Sequence, residues 1–266
     1  MPDTDTSASP RPSGTPDSAW EPEISVRGQN VTLSRAAAEL KERRGRVLEV
    51  GAGTARFLRA LRRTAPELIG YACDLESQGL IMALEQDPSL RVSCGDLTAL
   101  PFKDNSFDVV VVFDVFEHLY RAELGVQECW RVLAPGGLLH ALVPCEGQPF
   151  TLHWLMWRAN VAADLKEKRV GHVQRFTHQS AKELLRGNGF LVEHVTYSMH
   201  PLGQIKDILM YLEQGPGFPG WLRNNPLYRA TFLGLWLGSY AESSLLRHVP
   251  LSSVALHISA TKPCAS

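Results

Sequence analysis

The sequence predicts an α/β protein built on a doubly wound, largely parallel sheet, and three observations support this fold class. A glycine-rich turn at residues 49–54 follows a short apolar run and precedes an amphipathic stretch, which gives the order strand, tight turn and helix. Two later apolar runs end in acidic residues, Asp74 and Asp96. The β-branched run at residues 109–113 is typical of a strand buried on both faces of a parallel sheet. These runs predict successive strands whose carboxyl ends carry the glycine turn and the acids.

The glycine turn predicts the floor of a nucleotide-type site. Gly51 permits a left-handed or crowded backbone, and Gly53 lets a ligand approach the main chain closely. A dinucleotide fingerprint would place a third glycine at position 56, where the chain has Arg56. Glu49 precedes the first glycine, and a carboxylate there suits a ligand with a positive amino group better than one bearing phosphates. The turn therefore counts against NAD.

The acids at the later strand ends predict further contacts to such a ligand. Asp74 ends the second predicted strand and is placed to accept hydrogen bonds from ribose hydroxyls. Gly95 and Asp96 end the third, where the aspartate can receive an exocyclic amine. The Pro-Gly-Gly segment at 135–137 stops the helix before it and leads into a fifth strand at 138–143.

These motifs, in this order, resemble the class I S-adenosylmethionine-dependent methyltransferases, the broad group that includes ubiquinone and menaquinone biosynthesis enzymes. The matching segments fall within residues 46–143 and are 49–53, Asp74, 95–96, 100–102 with 106–108, 117–118 and 131–137. One departure is Ala55, where the family often carries a third glycine.

The resemblance implies a fold, a cofactor and a set of binding residues. The fold would be a Rossmann-like, seven-stranded mixed sheet whose last strand is antiparallel. The cofactor would be S-adenosyl-L-methionine. The residues expected to line its site are Glu49, Gly51, Ala52, Gly53, Asp74, Leu75, Gly95, Asp96, Leu97, Phe113 and His118.

Bulk properties predict one cytoplasmic domain over residues 20–266, after a disordered tail at 1–19 that is rich in Pro, Ser, Thr and Asp. The tail lacks signal or transit character. The resemblance implies a leading segment over the cofactor, whose carboxylate Arg27 could then reach, and a solvated arginine is an equal alternative. The formal net charge of −1 gives no support for nucleic-acid binding. Five cysteines are an odd count without metal-like spacing. Cys73, Cys94 and Cys145 lie in or at the ends of apolar strands, which predicts small buried residues in a reducing cytosol.

Two insertions, at 144–176 and 200–250, interrupt the expected plan and should form a helical lid over the site. Their aromatic and aliphatic content favours an apolar or aromatic small-molecule acceptor. The apolar block at 232–237 falls far short of the roughly 20 residues that span a bilayer, so no transmembrane span is expected. We expect it to be a buried lid helix, with a homodimer face or a membrane-surface patch as alternatives.

Three histidines are candidates for catalysis. His172 lies at the joint between lid and core, in a segment that resembles a recurrent Gly-His-x-x-x-Phe-Thr pattern of small-molecule methyltransferases. It is the preferred base or substrate-orienting group, although a hydrogen bond that ties down the lid is an equal alternative. His118 borders the methionine end of the cofactor by resemblance, and His153 lies within the lid. No metal site is expected.

The expected reaction is methyl transfer to oxygen or carbon of a small, largely apolar metabolite such as a quinone, phenol, polyketide or lipid-like molecule. Nothing in the sequence resembles the Asn/Asp-Pro-Pro-Tyr signature of amine methylation on nucleobases. One alternative is a non-catalytic cofactor-binding or membrane-surface protein on the same fold. A NAD-dependent oxidoreductase is the weaker alternative because of Glu49 and Arg56.

Overall fold

The computed structural model describes residues 30–161, 171–213 and 218–264. The expected tail at 1–19 and the Arg27 contact lie outside the described residues. Seven strands form one sheet: β1 (Gly45–Val50), β2 (Leu68–Asp74), β3 (Arg91–Cys94), β4 (Phe107–Phe113), β5 (Leu133–Pro144), β6 (Leu191–Ser198) and β7 (Ala255–Thr261).

The strand order in the sheet is β3-β2-β1-β4-β5-β7-β6. Strands β1 to β5 pair in parallel with one another. Strand β7 is antiparallel to both of its neighbours, β5 and β6. The order reverses between β1 and β4, and in open α/β sheets ligands bind outside the carboxyl ends of the strands at such a point. The predicted seven-stranded mixed sheet with an antiparallel last strand is confirmed.

The helices of the described residues are, in chain order, α1 (Val31–Leu40), α2 (Arg56–Arg62), α3 (Ser77–Gln86), α4 (Ala122–Val132), α5 (Leu152–Arg158), α6 (His178–Gly187), α7 (Pro201–Glu213), α8 (Gly220–Arg223) and α9 (Pro226–Leu245). A short 3₁₀ helix, Phe116–His118, follows β4. Thr177 caps α6 by accepting the N–H of Ser180. Helix α6 therefore begins directly after Thr177.

The core lies on both faces of the sheet. Successive side chains of a strand point to opposite faces, so Val110 and Val112 of β4 pack with α4 and α6 on one side. Val109 and Val111 pack with α1 and α2 on the other. The β-branched run is thus buried on both faces, as the sequence predicts.

Arg131 links α4 to the loop at 100–104. Its guanidinium donates to the backbone carbonyls of Leu100 and Phe102 at 2.9 and 2.7 Å. It also pairs with Glu128, whose carboxylate accepts the N–H of Leu100 at 2.7 Å. Buried backbone groups need such partners, so this pair holds the loop that follows β3 against α4.

The two insertions contribute the outer helices. Gln204 of α7 is buried, accepts the N–H of Leu152 at 2.7 Å, and donates to the carbonyls of Met199 and Ser252. His153 Nε2 lies 3.1 Å from Asp207 Oδ2. Helix α5 of the first insertion is therefore joined to α7 of the second.

The expectation that residues 232–237 form a buried helix is wrong. They lie within α9, in which Ser239 and Ser243 are the buried residues, while Leu233 and Leu237 are 54% and 44% exposed. Helix α9 packs against α7 at Gly238 and Ser239, which lie beside Leu202 and Gly203 of α7. Across the described ranges, the structure contains no helix of sufficient length and apolarity for a membrane crossing.

One cysteine expectation also needs correction. Cys73 and Cys145 are buried, as their apolar surroundings in the sequence predict, but Cys94 is exposed. It ends the edge strand β3, which has a neighbour on one side only.

Candidate active site

The glycine turn after β1 takes the strained conformation that its composition predicts. Gly51 and Gly53 have φ angles of 69° and 50°, in the left-handed region. The N–H groups of Gly51 and Ala52 both donate to Cys73 O, at 2.8 and 3.1 Å, which ties the turn to the end of β2. A Cβ on Gly51 would lie 2.4 Å from Val115 Cγ2, whereas one on Gly53 would meet no described atom within 4 Å. The turn is packed at Gly51 and open at Gly53.

Asp74 supports this turn from β2. Its Oδ2 accepts the N–H of Gly53 at 2.8 Å, and its Oδ1 accepts the N–H of Glu76 at 3.0 Å. Gly79 of α3 lies so close to Gly53 that a Cβ would come within 2.7 Å of the Gly53 carbonyl carbon. A carboxylate has about four acceptor sites, so these backbone bonds are compatible with the expected ribose contact.

Glu49 is buried beneath the turn. Its Oε2 accepts the N–H of Leu58 in α2 at 3.0 Å. Burial raises the pKa of this carboxyl to about 8. The Glu49 carboxyl therefore attracts a ligand ammonium only when it is ionised, and the charge of the ammonium would itself favour that ionisation.

The other residues expected at the cofactor differ in exposure. Asp96 Oδ1 accepts the N–H of Thr98 at 2.7 Å, which orders the turn after β3. Leu75 is 46% exposed directly after Asp74. Leu97 and Phe113 are buried, on opposite faces of the sheet. Leu75 alone of these three apolar residues presents a large free surface.

A cluster of histidines and carboxylates lies after β4 and β5. His172 Nδ1 is 2.9 Å from Glu146 Oε1, and its Nε2 is 3.7 Å from Glu117 Oε1. His118 Nε2 is 3.9 Å from the same Glu117 oxygen, and its Nδ1 is 3.2 Å from the carbonyl of Gly171. The two imidazole rings meet edge to face with centroids 4.9 Å apart. We call these four side chains the His–Glu cluster.

Backbone hydrogen bonds explain how the chain assembles this cluster. The carbonyl of Glu117 accepts the N–H groups of Val173 and Gln174 at 2.9 and 3.0 Å. The side-chain amide of Gln174 donates to Leu119 O and Tyr120 O. The segment that carries His172 is therefore docked onto the 3₁₀ helix that carries His118.

The structure brings together only some of the residues that the sequence singled out. His118 and His172 are neighbours, but His153 pairs instead with Asp207 of α7. Glu146 was missed, although it follows β5 at the edge where parallel strands end. No sequence spacing signals the whole set, because Glu146 and His172 are far along the chain from the adjacent Glu117 and His118.

The sheet order and the glycine turn after β1 agree with the Rossmann-like fold that the sequence predicts. Residues 48–141 match a family model described as "Methyltransferase domain". The match confirms, for this segment, the resemblance to S-adenosylmethionine-dependent methyltransferases.

Particular relatives agree with this assignment. A demethylmenaquinone methyltransferase of Deinococcus radiodurans is 36% identical over 108 residues, which cover 39% of this chain and 45% of the relative. A malonyl-[acyl-carrier protein] O-methyltransferase of Methylococcus capsulatus is 31% identical over 150 residues, covering 54% and 51%. The matched segment thus spans about half the length of each relative.

Among solved structures, a putative sarcosine dimethylglycine methyltransferase from Galdieria sulphuraria aligns with a TM-score of 0.58. The alignment covers 87% of this chain and 84% of that one, at 16% identity. At this identity the likeness shows the fold alone.

Proposed function

We propose that this protein transfers a methyl group from S-adenosylmethionine to oxygen or carbon of a small, largely apolar metabolite. One observation carries the proposal: the open glycine turn and the His–Glu cluster adjoin at the carboxyl edge of the sheet. Gly51 contacts Val115, which directly precedes the 3₁₀ helix that carries His118. A donor bound on the turn and an acceptor held at the cluster would therefore be neighbours.

The donor end would be held by backbone and carboxylate groups. Asp74 would accept hydrogen bonds from the ribose, Gly53 would allow close approach, and Glu49 would meet the ammonium group. Asp96 would accept a hydrogen bond from the exocyclic amine of the adenine, and Leu75 would also line this part of the site. Methyl transfer from a sulfonium is an in-line displacement, so much of the rate enhancement would come from this positioning.

The acceptor end would be apolar except at the His–Glu cluster. Phe150, Leu155 and Trp157, in and beside α5, are 73%, 49% and 42% exposed, which suits a helix that covers an apolar ligand. The names of the relatives, which include a demethylmenaquinone methyltransferase, support a quinone or phenol as the first acceptor class to test. In this proposal residues 20–266 act as one domain, with the insertions at 144–176 and 200–250 as its lid.

A transfer assay with labelled S-adenosylmethionine tests the proposal. The purified protein is incubated with quinols, phenols and lipid extracts, and methylated products are identified by mass. We expect stoichiometric S-adenosylhomocysteine and a product heavier by one methylene unit. Binding of the cofactor without transfer to any of these acceptor classes would contradict the acceptor assignment.

The exposed apolar face of the lid favours a second candidate, a non-catalytic or membrane-surface protein on this fold. Trp221 of α8 and Leu227 of α9 are 72% and 76% exposed, and Leu233 and Leu237 of α9 are exposed as well. Sedimentation with liposomes distinguishes the two: the second candidate requires lipid binding without turnover. Fluorescence of added NADH tests the nicotinamide alternative in the same preparation.

A further inference from the structure

We propose that Glu117, His118 and His172 bind a divalent transition-metal ion, with Zn²⁺ the best match to the donor set. One donor atom from each residue lies within 4.8 Å of the donor atoms of the other two. Two imidazole nitrogens and one carboxylate are a set that zinc binds in proteins. The role that we assign to this ion in catalysis rests on the proposed methyl transfer, but its binding does not.

The outer hydrogen bonds orient both imidazoles for metal binding. A carbonyl only accepts hydrogen bonds, so the contact to Gly171 O places the proton of neutral His118 on Nδ1. The carboxylate of Glu146 does the same for His172. The lone pair of each ring is then on Nε2, the atom that faces Glu117. Metal-binding histidines usually have this second partner.

The distances allow a metal ion after a small contraction. Bonds of about 2.1 Å in tetrahedral geometry place donor atoms about 3.4 Å apart. Glu117 Oε1 is 3.7 Å from His172 Nε2 and 3.9 Å from His118 Nε2. These two pairs would close by roughly half an ångström or less, and the two imidazole nitrogens, which lie within 4.8 Å of each other, would also move together. Rotation about side-chain bonds can supply such movements.

Burial and charge favour a cation at this position. The side chains of Glu117 and Glu146 are 0% and 4% exposed, and that of His172 is 8% exposed. Two buried carboxyl groups beside two imidazoles favour a cation between them, because burial strengthens electrostatic attraction. A divalent ion between Glu117 and the histidines would interact with both the carboxylate and the imidazole lone pairs.

The same geometry argues against a simple general-base role for His172. A base must present its lone pair to the substrate, whereas Nε2 of His172 faces Glu117. Three protein ligands leave a coordination position open, as in catalytic zinc sites. The side chain of His118 is 28% exposed, so the cluster is accessible on that side.

The open position would bind the acceptor hydroxyl. Coordination lowers the pKa of a bound hydroxyl, so its proton is released to solvent. The oxygen lone pair then forms a bond to the methyl carbon, and the carbon–sulfur bond breaks with its electron pair going to sulfur. The products are the methyl ether and neutral S-adenosylhomocysteine. His172 would act as a ligand in this reaction and Glu146 as a positioning residue.

Zinc titration of the full-length protein tests the site. Because Cys94 and Cys264 are exposed, both are changed to serine in every sample to remove thiol ligands. The chelator-stripped protein is titrated with Zn²⁺ against a chromophoric competitor. We expect one ion per chain, and loss of that binding in His172→Ala and Glu117→Gln. Glu146→Gln should weaken zinc binding about 10- to 100-fold because it is an outer-sphere partner.

The control is His194→Ala, an exposed histidine beside Glu39, which should leave zinc affinity unchanged. If His172→Ala does not fold, His118→Ala tests the same site at its more exposed ligand. Equal zinc affinity in a folded ligand variant and the parent would overturn the proposal, as would the absence of a one-to-one zinc complex.

Binding of S-adenosylmethionine is measured in the same samples to separate the two proposals. Methyl transfer at an undiminished rate by the zinc-free protein would reject the catalytic role of the ion and leave the proposed function intact. A one-to-one zinc complex in a protein that binds no S-adenosylmethionine would reject the proposed function and leave the metal site intact.

Discussion

The carboxylate of Glu117 lies 3.7 Å from Nε2 of His172, and its backbone carbonyl accepts the N–H of Val173. One residue thus holds the end of the first insertion by both its side chain and its main chain. This end of the insertion and the 3₁₀ helix after β4 form one unit. A ligand at this edge that displaces one of them should displace the other.

Asp74→Ala should weaken binding of S-adenosylmethionine about 10- to 100-fold, or roughly 1.5–3 kcal/mol. The substitution removes both the expected ribose acceptor and the hydrogen bond to Gly53. Calorimetric titration measures the change, with Glu85→Ala on α3 as an exposed control. Unchanged affinity in folded Asp74→Ala protein would contradict the assignment of the ribose site.

Binding of S-adenosylmethionine at pH 7 should release up to about one proton. Burial holds the pKa of Glu49 near 8, so its carboxyl is largely protonated before binding, and a nearby ammonium favours ionisation. Calorimetry in buffers with different ionisation enthalpies measures the proton count. The release should disappear above pH 9 and in Glu49→Gln, and a pH-independent zero would exclude this coupling.

Gly51→Ala should destabilise the fold by about 1–3 kcal/mol, because the new methyl group meets Val115 and the backbone is left-handed. Gly234→Ala is the matched control: its Cβ meets no described atom within 4 Å, and alanine is favoured within a helix by up to about 1 kcal/mol. Urea unfolding of both variants measures the difference. Equal stabilities would mean that the turn relaxes more easily than its packing indicates.

The buried His140 should make the fold less stable in acid. Burial lowers its pKa to about 4, whereas an unfolded histidine has a pKa of about 6.5. Between these values the unfolded chain binds a proton that the native chain does not, so the free energy of unfolding falls as pH falls. The full effect of this one group is roughly 3 kcal/mol at pH 4.

His140→Gln isolates this contribution, because it removes the titrating group while its amide can still bond to Ser259. The stability difference between parent and variant should be constant above pH 7 and should shift in favour of the variant from pH 6.5 down to 4. A difference that stays constant throughout would show that His140 is not held neutral by the fold.

The sheet and the conformation of the turn after β1 could be predicted because their signals are local. The run of β-branched residues in β4, the left-handed glycines and the acid that ends β2 each follow from backbone or side-chain chemistry within a few residues. Asp74 needed only its place at the end of a parallel strand. These features depend little on how distant parts of the chain meet.

The His–Glu cluster and the exposed face of α9 could not be predicted, because both depend on contacts between segments that are distant in the sequence. Glu146 and His172 meet because Glu117 docks the later segment through main-chain bonds, which leave no trace in the spacing of residues. The apolar block of α9 has the composition of a buried helix. Its partner, α7, covers the small residues of that helix and leaves the leucines outside.

Calorimetric titration of the purified protein with S-adenosylmethionine tests the central claim most directly, with S-adenosylhomocysteine and NADH as comparison ligands. The account predicts micromolar, one-to-one binding of both adenosyl ligands, which is a binding free energy of about −8 kcal/mol, and no binding of NADH. A folded protein that binds neither adenosyl ligand would contradict it.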